Sequence, residues 1–502
     1  MDEERIPVIV GAAQLVDRDA DPERHIEPLS MLTRVATDAA RDAGGGARML
    51  EMIDTVALVA TAGWNPANAP GLLAGKLGAS PVQEITTSTG GQVGVSLLNH
   101  VASDIVAGRS SLAFVGGCNN LKVLMKAIAI GKQLTWSRGG TGSPVRLGGD
   151  KPGSSELEGR YGLKQPPDIY PLFENALRAR LGRDLATHQQ QMGKLFAGFT
   201  RVAASNPYAW FPVERSAEEL ITVTENNRMI AWPYPKYLNA ILNTEQAAGL
   251  MVCSVAKARS LGIPAERWVY WHGGAHSEER AWWASERPDF SRCPSMQDTQ
   301  VSALANARIS LADINLFDFY SCFPIAVEMA ALGLGLSFDD PRGFTVTGGL
   351  PYAGGPASAY TLHSLATMVE KLRQQPGSSG LVTGNGWYLT KHSAAVLASR
   401  PVERLPVNGL VADLPSANEE TAPRVVSETA SGEAIIETYT VKYNRDGSPG
   451  LGIVVGRTDA GERFLANTPS DRTFLESFVA EERVGCRGRV STAGDLLQFE
   501  PD

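Results

Sequence analysis

The chain has 502 residues, 43% of them hydrophobic, and a formal net charge of -8. This length predicts several domains of a globular protein, and the acidic balance argues against a nucleic-acid partner. Five scattered cysteines without metal-ligand spacing argue against a disulfide framework and against a metal site. The chain begins without a signal-peptide pattern and has no apolar run of the ~20 residues that a membrane span needs, so we expect a cytoplasmic protein with no membrane insertion.

Apolar runs and amphipathic stretches alternate through the first 120 residues. Near-continuous apolar runs are typical of parallel strands that helices cover on both faces. The alternation predicts a layered α/β fold. The predicted strands are residues 8–10, 53–60, 82–87 and 111–117, and the predicted helices are residues 26–43, residues 66–77 and a helix from Val93 onward.

Residues 84–96 pass from a β-prone run through paired glycines into the last of these helices. A helix N-terminus has free N–H groups and favours negative charge, so a side chain that projects there is a candidate for chemistry. The candidates are Thr87, Ser88 and Thr89, and there is no cysteine. Ser88 and Thr89 are also candidates for capping the helix.

Residues 121–243 interrupt the alternating pattern with a Gly-rich tract, helical stretches and aromatic turns. The segment is too long for an ordinary connection and predicts a folded insertion that covers part of the molecule. The α/β pattern resumes with a helix-like run at residues 244–261 and a strand at residues 268–271.

The second part of the chain then repeats the order of the first. Residues 53–59 have a counterpart at residues 314–320, and the glycine pair before Val93 has one at Gly354–Gly355. The nearly constant separation predicts two copies of one α/β unit, with a site where strand ends and helix N-termini of both copies meet. The predicted halves are residues 1–120 with residues 244–270, and residues 271–400.

The composition changes after Arg400. Residues 401–432 are rich in Pro, Glu, Ser and Ala and predict a linker. Residues 433–502 contain five short β-prone runs and one helix-like run, which predicts a small β-barrel of the OB type. Acidic balance and the lack of an aromatic ladder argue against nucleic-acid binding by this barrel.

Four segments, taken in order, match motifs of one protein family. Residues 87–90 are at the place of the family's Cys-x-Ser/Thr-Gly nucleophile run, and residues 205–220 are similar to the insertion of one of its classes. Residues 320–323 are at the place of that class's His-Asp-Cys-Phe motif, and residues 354–356 are at the place of its Gly-His-Pro motif. Residues 5–400 thereby resemble the thiolase superfamily, in particular its sterol-carrier-protein-x class. The resemblance implies a duplicated five-layer αβαβα fold with an insertion domain, followed here by the OB-like barrel.

The departures from the family pattern affect its chemistry. Thiolases use a cysteine nucleophile to take an acyl group from coenzyme A, and here that position is Thr87, whose hydroxyl needs an adjacent base. Gly355 replaces the histidine of Gly-His-Pro, and Tyr320 replaces the histidine of the other motif. Cys322 remains at the acid/base cysteine position. The resemblance therefore implies a ligand, CoA or acyl-CoA, with no required cofactor and without ordinary thiolase activity.

Three hypotheses for function follow. In the first, the backbone N–H groups of Gly90 and Gly91, with Gly386 from the second half, still bind an oxyanion or a thioester carbonyl. In the second, Tyr320 moves a proton in a retro-aldol lyase acting on a CoA-linked, sterol-derived side chain, as in related thiolase-like lyases that pair with an OB-type partner. In the third, the chain is a non-catalytic lipid-binding or scaffold protein.

Oligomeric state is left open by the sequence. Thiolases dimerise through the strand before the nucleophile, but residues 82–85 are not notably apolar, so both a homodimer and a monomer are compatible with the sequence.

Overall fold

Strands and helices follow one another through residues 2–404 and 421–502, the part of the chain that this computed structural model describes. The strands are β1 (Pro7–Val16), β2 (Thr55–Leu58), β3 (Gln83–Thr87), β4 (Leu112–Asn120), β5 (Val145–Leu147), β6 (Met229–Ala231), β7 (Tyr234–Pro235), β8 (Glu245–Ser254), β9 (Val269–Glu278), β10 (Leu316–Asp318), β11 (Ser379–Gly386), β12 (Lys391–Ala398), β13 (Val426–Ser427), β14 (Gly432–Tyr443), β15 (Pro449–Thr458), β16 (Arg463–Asn467), β17 (Arg487–Ala493) and β18 (Leu496–Pro501). The helices are α1 (Pro28–Asp42), α2 (Gly46–Glu51), α3 (Ala69–Leu77), α4 (Val93–Ala107), α5 (Leu121–Ala129), α6 (Glu156–Arg160), α7 (Pro166–Arg180), α8 (Leu185–Ser205), α9 (Ala217–Ile221), α10 (Val255–Ser260), α11 (Pro294–Ala307), α12 (Pro324–Gly333), α13 (Tyr360–Gln374) and α14 (Arg472–Ala480).

The two halves share one strand order. The first half runs β1-β8-β4-β2-β3, and the second runs β9-β12-β11-β10. In the first half β2 pairs in parallel with β4, and in the second β10 pairs in parallel with β11. The strand that comes last along the chain in each half, β8 or β12, is antiparallel to the strands on either side of it. The predicted duplication of an α/β unit is therefore confirmed. The halves join edge to edge where Val8 pairs with Tyr270 and Ile9 pairs with Val269, so the strands form a continuous path.

Helices α4 and α13 form the central layer, because each packs against strands of both halves. Their position explains the composition of α4, whose residues are apolar almost all round and buried from Val93 to Val106 apart from short polar interruptions. Helix α1 covers the outer face of the first half, and α11 covers that of the second. The result is the five-layer α/β arrangement that the resemblance implied.

The segment at residues 244–261 was predicted as helix-like, and this prediction is wrong for its first part. Residues 245–254 form β8, between β1 and β4, and only residues 255–260 are helical. Every residue of β8 is buried. A strand covered on both faces is apolar without a period-2 alternation, and such a run cannot be distinguished from a buried helix by its periodicity.

The C-terminal barrel closes through β14, β15, β16, β18 and β17, with α14 between β16 and β17. This is the connectivity of an OB-type barrel. The predicted linker needs a correction, because Val426–Ser427 already pairs with β16 as strand β13. Residues 405–420 of that linker lie outside the described residues.

The insertion holds the barrel against the second half. Strand β6 pairs with β14, Asn175 Nδ2 of α7 donates to the Tyr439 carbonyl at 2.9 Å, and Thr438 Oγ1 donates to the Leu172 carbonyl at 2.5 Å. Apolar residues of the insertion, the second half and the barrel form one continuous core. None of the helices in the described residues has the length and apolarity of a membrane span.

Candidate active site between the two halves

Thr87, at the end of β3, is 4% exposed. Its Oγ1 accepts a hydrogen bond from the Ala60 backbone N at 3.2 Å. An alkoxide is needed for attack on a thioester, and no side chain among the described residues is hydrogen-bonded to this hydroxyl as a base. Thr87, predicted at the family's nucleophile position, is thus a buried residue whose hydroxyl is bonded to the backbone after β2.

The two predicted helix caps are not formed. Helix α4 has Gln92 as its N-cap residue, and no side chain caps it. Ser88 is 2% exposed, and its backbone N donates to the Leu147 carbonyl of β5 at 2.8 Å. Thr89 is exposed. The turn is therefore stabilised by pairing with β5 rather than by a serine or threonine cap.

Gly90, Gly91 and Gly386, the predicted cradle, lie close together, and the space between them is filled. A Cβ at Gly90 or at Gly386 would overlap Oε1 of Gln92. Gln92 is 8% exposed, and its Oε1 has no hydrogen-bond partner among the described residues. The Gly90 backbone N already donates to Ser358 Oγ at 3.3 Å. An oxyanion can use this cradle only after the Gln92 side chain moves or its amide rotates, because an acceptor oxygen now faces the site.

Tyr320 of the second half reaches this turn of the first half. A Cβ at Gly91 would overlap the Tyr320 hydroxyl and the Asn385 carbonyl, so only glycine fits at position 91. The Tyr320 ring packs edge-on against Tyr360 with 5.5 Å between centroids. Burial, with a smaller contribution from Cys322, raises the pKa of the Tyr320 hydroxyl above its usual value. At neutral pH the hydroxyl is protonated and can donate a proton or a hydrogen bond.

Cys322 is 7% exposed, and burial raises the pKa of its thiol to about 12, although the nearby Tyr170 hydroxyl acts in the opposite direction. Asn385 Nδ2 lies 4.0 Å from its sulfur. The thiol is therefore protonated at neutral pH and is not a base. Gly355, predicted at the position of the family histidine, has its backbone N bonded to the Ile241 carbonyl at 2.8 Å, and a Cβ there would lie 3.0 Å from the same oxygen.

Three residues that the sequence did not single out border the site: Gln92, Tyr170 and Lys391. Tyr170 comes from α7 of the insertion, stacks on Phe323 at 4.4 Å, accepts from Asn385 Nδ2 at 2.8 Å and donates to the Trp387 carbonyl at 3.0 Å. Lys391 opens β12 opposite Gly386. No sequence signal marks Tyr170, since its partners are more than 150 residues away, whereas a lysine at the start of an otherwise apolar strand is a weak signal for Lys391.

Little space remains beside Tyr320. A cavity of about 10 Å³ is lined by Tyr320 and by residues of α11, α12, β11 and β12, among them Asn385 and Ser393. That volume holds about one water molecule. A thioester would therefore have to displace side chains, and those at hand are Gln92 and Tyr170.

Two buried groups combine metal-ligand side chains: Glu279 with Cys293 and His392, the last of which lines this cavity, and Glu174 with His188 and Glu328. Each is already linked by internal hydrogen bonds. Cys293 Sγ lies 3.3 Å from both Glu279 Oε1 and His392 Nε2. His188 Nε2 lies 2.6 Å from Glu174 Oε1, closer than two ligands of one metal ion stand.

Comparisons with known proteins agree with this fold. Residues 413–495 match the family model of the thiolase-like protein type 1 additional C-terminal domain. A search of curated proteins finds no match. Three solved structures share the fold at 14–17% sequence identity and TM-scores of 0.54–0.60. One is an Ltp2–ChsH2(DUF35) aldolase, for which the match covers 80% of this chain and 99% of that chain. The others are an acetyl-CoA acetyltransferase from Syntrophomonas wolfei, with coverages of 78% and 99%, and the dimeric peroxisomal thiolase of Saccharomyces cerevisiae, with coverages of 80% and 98%.

One further solved structure is similar over the full length of both chains. It is a monomeric SCP2-thiolase-like protein type 1 from Mycobacterium smegmatis, with 34% sequence identity, 100% coverage of each chain and a TM-score of 0.84. With the same halves, insertion and additional barrel, the chain belongs to the SCP2-thiolase-like protein type 1 family.

Proposed function

We propose that this protein binds CoA thioesters and does not catalyse thiolysis. The observation that carries the second part is the state of Thr87, whose buried hydroxyl accepts a backbone hydrogen bond at 3.2 Å. Raising a threonine to a nucleophile requires a base hydrogen-bonded to its hydroxyl, and the Thr87 hydroxyl has a backbone N–H as its partner; Tyr320 and Cys322 beside the site are both held protonated by burial.

The ligand class is proposed from the fold and the glycine turn. An acetyl-CoA acetyltransferase shares the fold, and Gly90 and Gly91 of the first half approach Gly386 of the second. The thioester carbonyl is proposed to bind between these glycines. No cofactor is needed for binding. Entry of the thioester requires the Gln92 amide to turn, which would direct its N–H groups toward the carbonyl and relieve the unpaired Oε1.

Two measurements on the full-length protein test the proposal. Calorimetric titration with acetoacetyl-CoA should show saturable binding, and incubation of the same complex with free CoA should leave acetoacetyl-CoA uncleaved. Gln92→Ala should alter the affinity, while Gln83→Ala, at a half-exposed position on the same strand–turn segment, should not. Thiolysis at ordinary enzymatic rates would refute the loss of activity, and absence of binding would refute the ligand.

A second candidate function is a retro-aldol lyase, and the contact of the Tyr320 hydroxyl with Gly91 favours it. A protonated tyrosine there can donate to the thioester oxygen as the carbon–carbon bond breaks. Release of a ketone or an aldehyde from β-hydroxyacyl-CoA would support this function. Tyr320→Phe should abolish the release, and if it does not, Tyr320 has no such role.

We also propose that the protein is a monomer. The edge of β3, where thiolases dimerise, is occupied by β5 of the same chain through the pairs Ile85–Val145, Thr86–Arg146 and Thr87–Leu147. A covered edge offers no free backbone groups to a second copy. The Mycobacterium smegmatis relative is likewise monomeric.

A further inference from the structure

Lys391 is a buried lysine beside the position of the absent nucleophile. Its side chain lies next to the glycine turn, because Nζ is 3.4 Å from the Thr89 carbonyl oxygen. Its backbone pairs with Gly386, one of the three glycines of the cradle. The residue is only 3% exposed, although the neighbouring residues 149–152 are exposed.

The ammonium group has weak compensation for this burial. Within residues 2–404 and 421–502, Lys391 forms no ion pair within 4.0 Å, and the carboxylates of Glu278 and Asp150 act on it from a greater distance. Its other neighbours are the rings of Trp282 and Trp387, whose centroids lie 5.7 and 5.5 Å from Nζ and whose faces attract the ammonium more weakly than a carboxylate in contact would. Burial lowers the pKa of Lys391 against these contacts, which raises the fraction of neutral amine.

A neutral amine is a nucleophile toward carbonyl carbon. Lysines in apolar or cationic surroundings serve enzymes in this way, by condensing with ketones or aldehydes. Lys391 is such a lysine by its burial beside two tryptophan rings. An ordinary structural lysine would instead extend its ammonium group into water or toward a carboxylate.

We propose that Lys391 is the reactive group of this site and forms an imine with the ketone of a β-ketoacyl thioester bound at the glycine turn. This inference rests on the proposed binding of CoA thioesters. In the condensation the Nζ lone pair bonds to the ketone carbon and the carbon–oxygen bond breaks. The oxygen leaves as water with two protons from the amine, so no oxidant, reductant or metal is needed.

Access to the amine is controlled by the segment Asp150–Gly153. Trp282 Nε1 donates to the Pro152 carbonyl at 2.7 Å, and a Cβ at Gly153 would lie 2.7 Å from the Trp387 ring. These contacts place the segment against the two tryptophans that flank Lys391. A ligand reaches Nζ when this exposed segment moves away from the Trp387 ring.

The test uses 2,4-pentanedione, a β-diketone without CoA that condenses with neutral lysine amines to a stable, light-absorbing enaminone. The full-length protein is treated at pH 7.5, and the modified lysine is identified by peptide mass. We expect Lys391 to react at least about tenfold faster than the exposed Lys151, because its amine is neutral more often. Equal or slower reaction of Lys391 would overturn the proposal.

Variants and competition complete the test. Lys391→Arg and Lys391→Met should both remove the rapid phase, and Lys151→Arg should retain it; thermal melting checks that each variant is folded. Acetoacetyl-CoA should protect Lys391 from the diketone. If calorimetry shows binding of acetoacetyl-CoA but Lys391 is not protected, the imine is overturned while the proposed function stands. If acetoacetyl-CoA does not bind at all, the proposed function fails, and with it the thioester as the partner of Lys391.

Discussion

The two halves of the protein have one topology but different neighbours. The outer helices of the first half form a core of their own with its strands, and Thr89, the residue before its glycine turn, is exposed. The second half packs against both the insertion and the barrel, with the Phe323 ring between those of Tyr170 and Tyr234. The difference shows that a duplicated unit diverges through what covers it. Burial under this cover raises the pKa of both Tyr320 and Cys322 and keeps them protonated, whereas Thr89 of the first half remains in contact with solvent.

The largest expected loss of stability is at the interface between the second half and the insertion, which the first half lacks at the equivalent place. Phe323→Ala should lower the free energy of unfolding by about 3–5 kcal/mol, because it removes a fully packed ring between two tyrosines. Phe211→Ala, at a residue that is 42% exposed, should cost less than about 1 kcal/mol. Chemical denaturation measures both, and similar losses would contradict the proposed dependence of the second half on the insertion.

A second prediction concerns pH and the buried histidine of the central layer. Burial lowers the pKa of His363 to about 3, below the unfolded value of about 6.5. Since the unfolded chain then binds the extra proton, the stability contributed by this residue is complete above pH 6.5 and is lost as the pH falls toward 3. At pH 5 the loss should be about 2 kcal/mol.

The comparison of wild type with His363→Gln isolates this effect from other titrating groups. Glutamine can still donate to Gln14 Oε1, which lies 2.8 Å from the histidine Nδ1. The variant should show a flatter loss of stability between pH 7 and pH 5 in denaturant titrations. Parallel curves for the two proteins would show that His363 is not kept neutral by burial.

A buried arginine is among the contacts that hold the barrel against the insertion. Arg178 of α7 is 1% exposed and forms two hydrogen bonds with Glu482 of the barrel. Glu482→Gln should lower the free energy of unfolding by about 1–3 kcal/mol, because it leaves a buried guanidinium without its carboxylate. The loss is smaller than for a fully buried pair because Glu482 itself is half-exposed. Glu481→Gln, at an exposed neighbour, should have little effect. Thermal unfolding distinguishes the two.

The smallest effect on stability is expected at the edge of the first half, where β5 pairs with β3. A substitution there should instead change the oligomeric state. Replacing Val145–Leu147 with Gly-Ser-Gly should weaken β5 and free the backbone groups of β3. Light scattering after size exclusion should find a monomer for wild type and concentration-dependent dimers for the variant. A wild-type dimer would contradict the proposal that β5 covers the edge.

Much of the architecture could be predicted from the sequence, because it depends on patterns within short segments of the chain. Helix α4 and the strands before it have clear periodicity and a glycine turn, and the repeat of this order predicts the duplication. The OB-type barrel follows from short strands around one helix. Strand β8 could not be recognised because burial on both faces removes its alternation, and Val426–Ser427 lies in a composition typical of linkers yet pairs with β16.

By itself the sequence determined the duplicated α/β fold and the family resemblance, and it predicted the position of the site and the loss of its chemistry from Thr87, Gly355 and Tyr320 at their places in the motifs. Only the tertiary structure decided what now fills that site. Gln92 turns into the cradle, Tyr170 enters from the insertion, and Lys391 loses its water beside two tryptophans. The physical reason is that burial and charge depend on neighbours that are distant along the chain, and no local pattern records them.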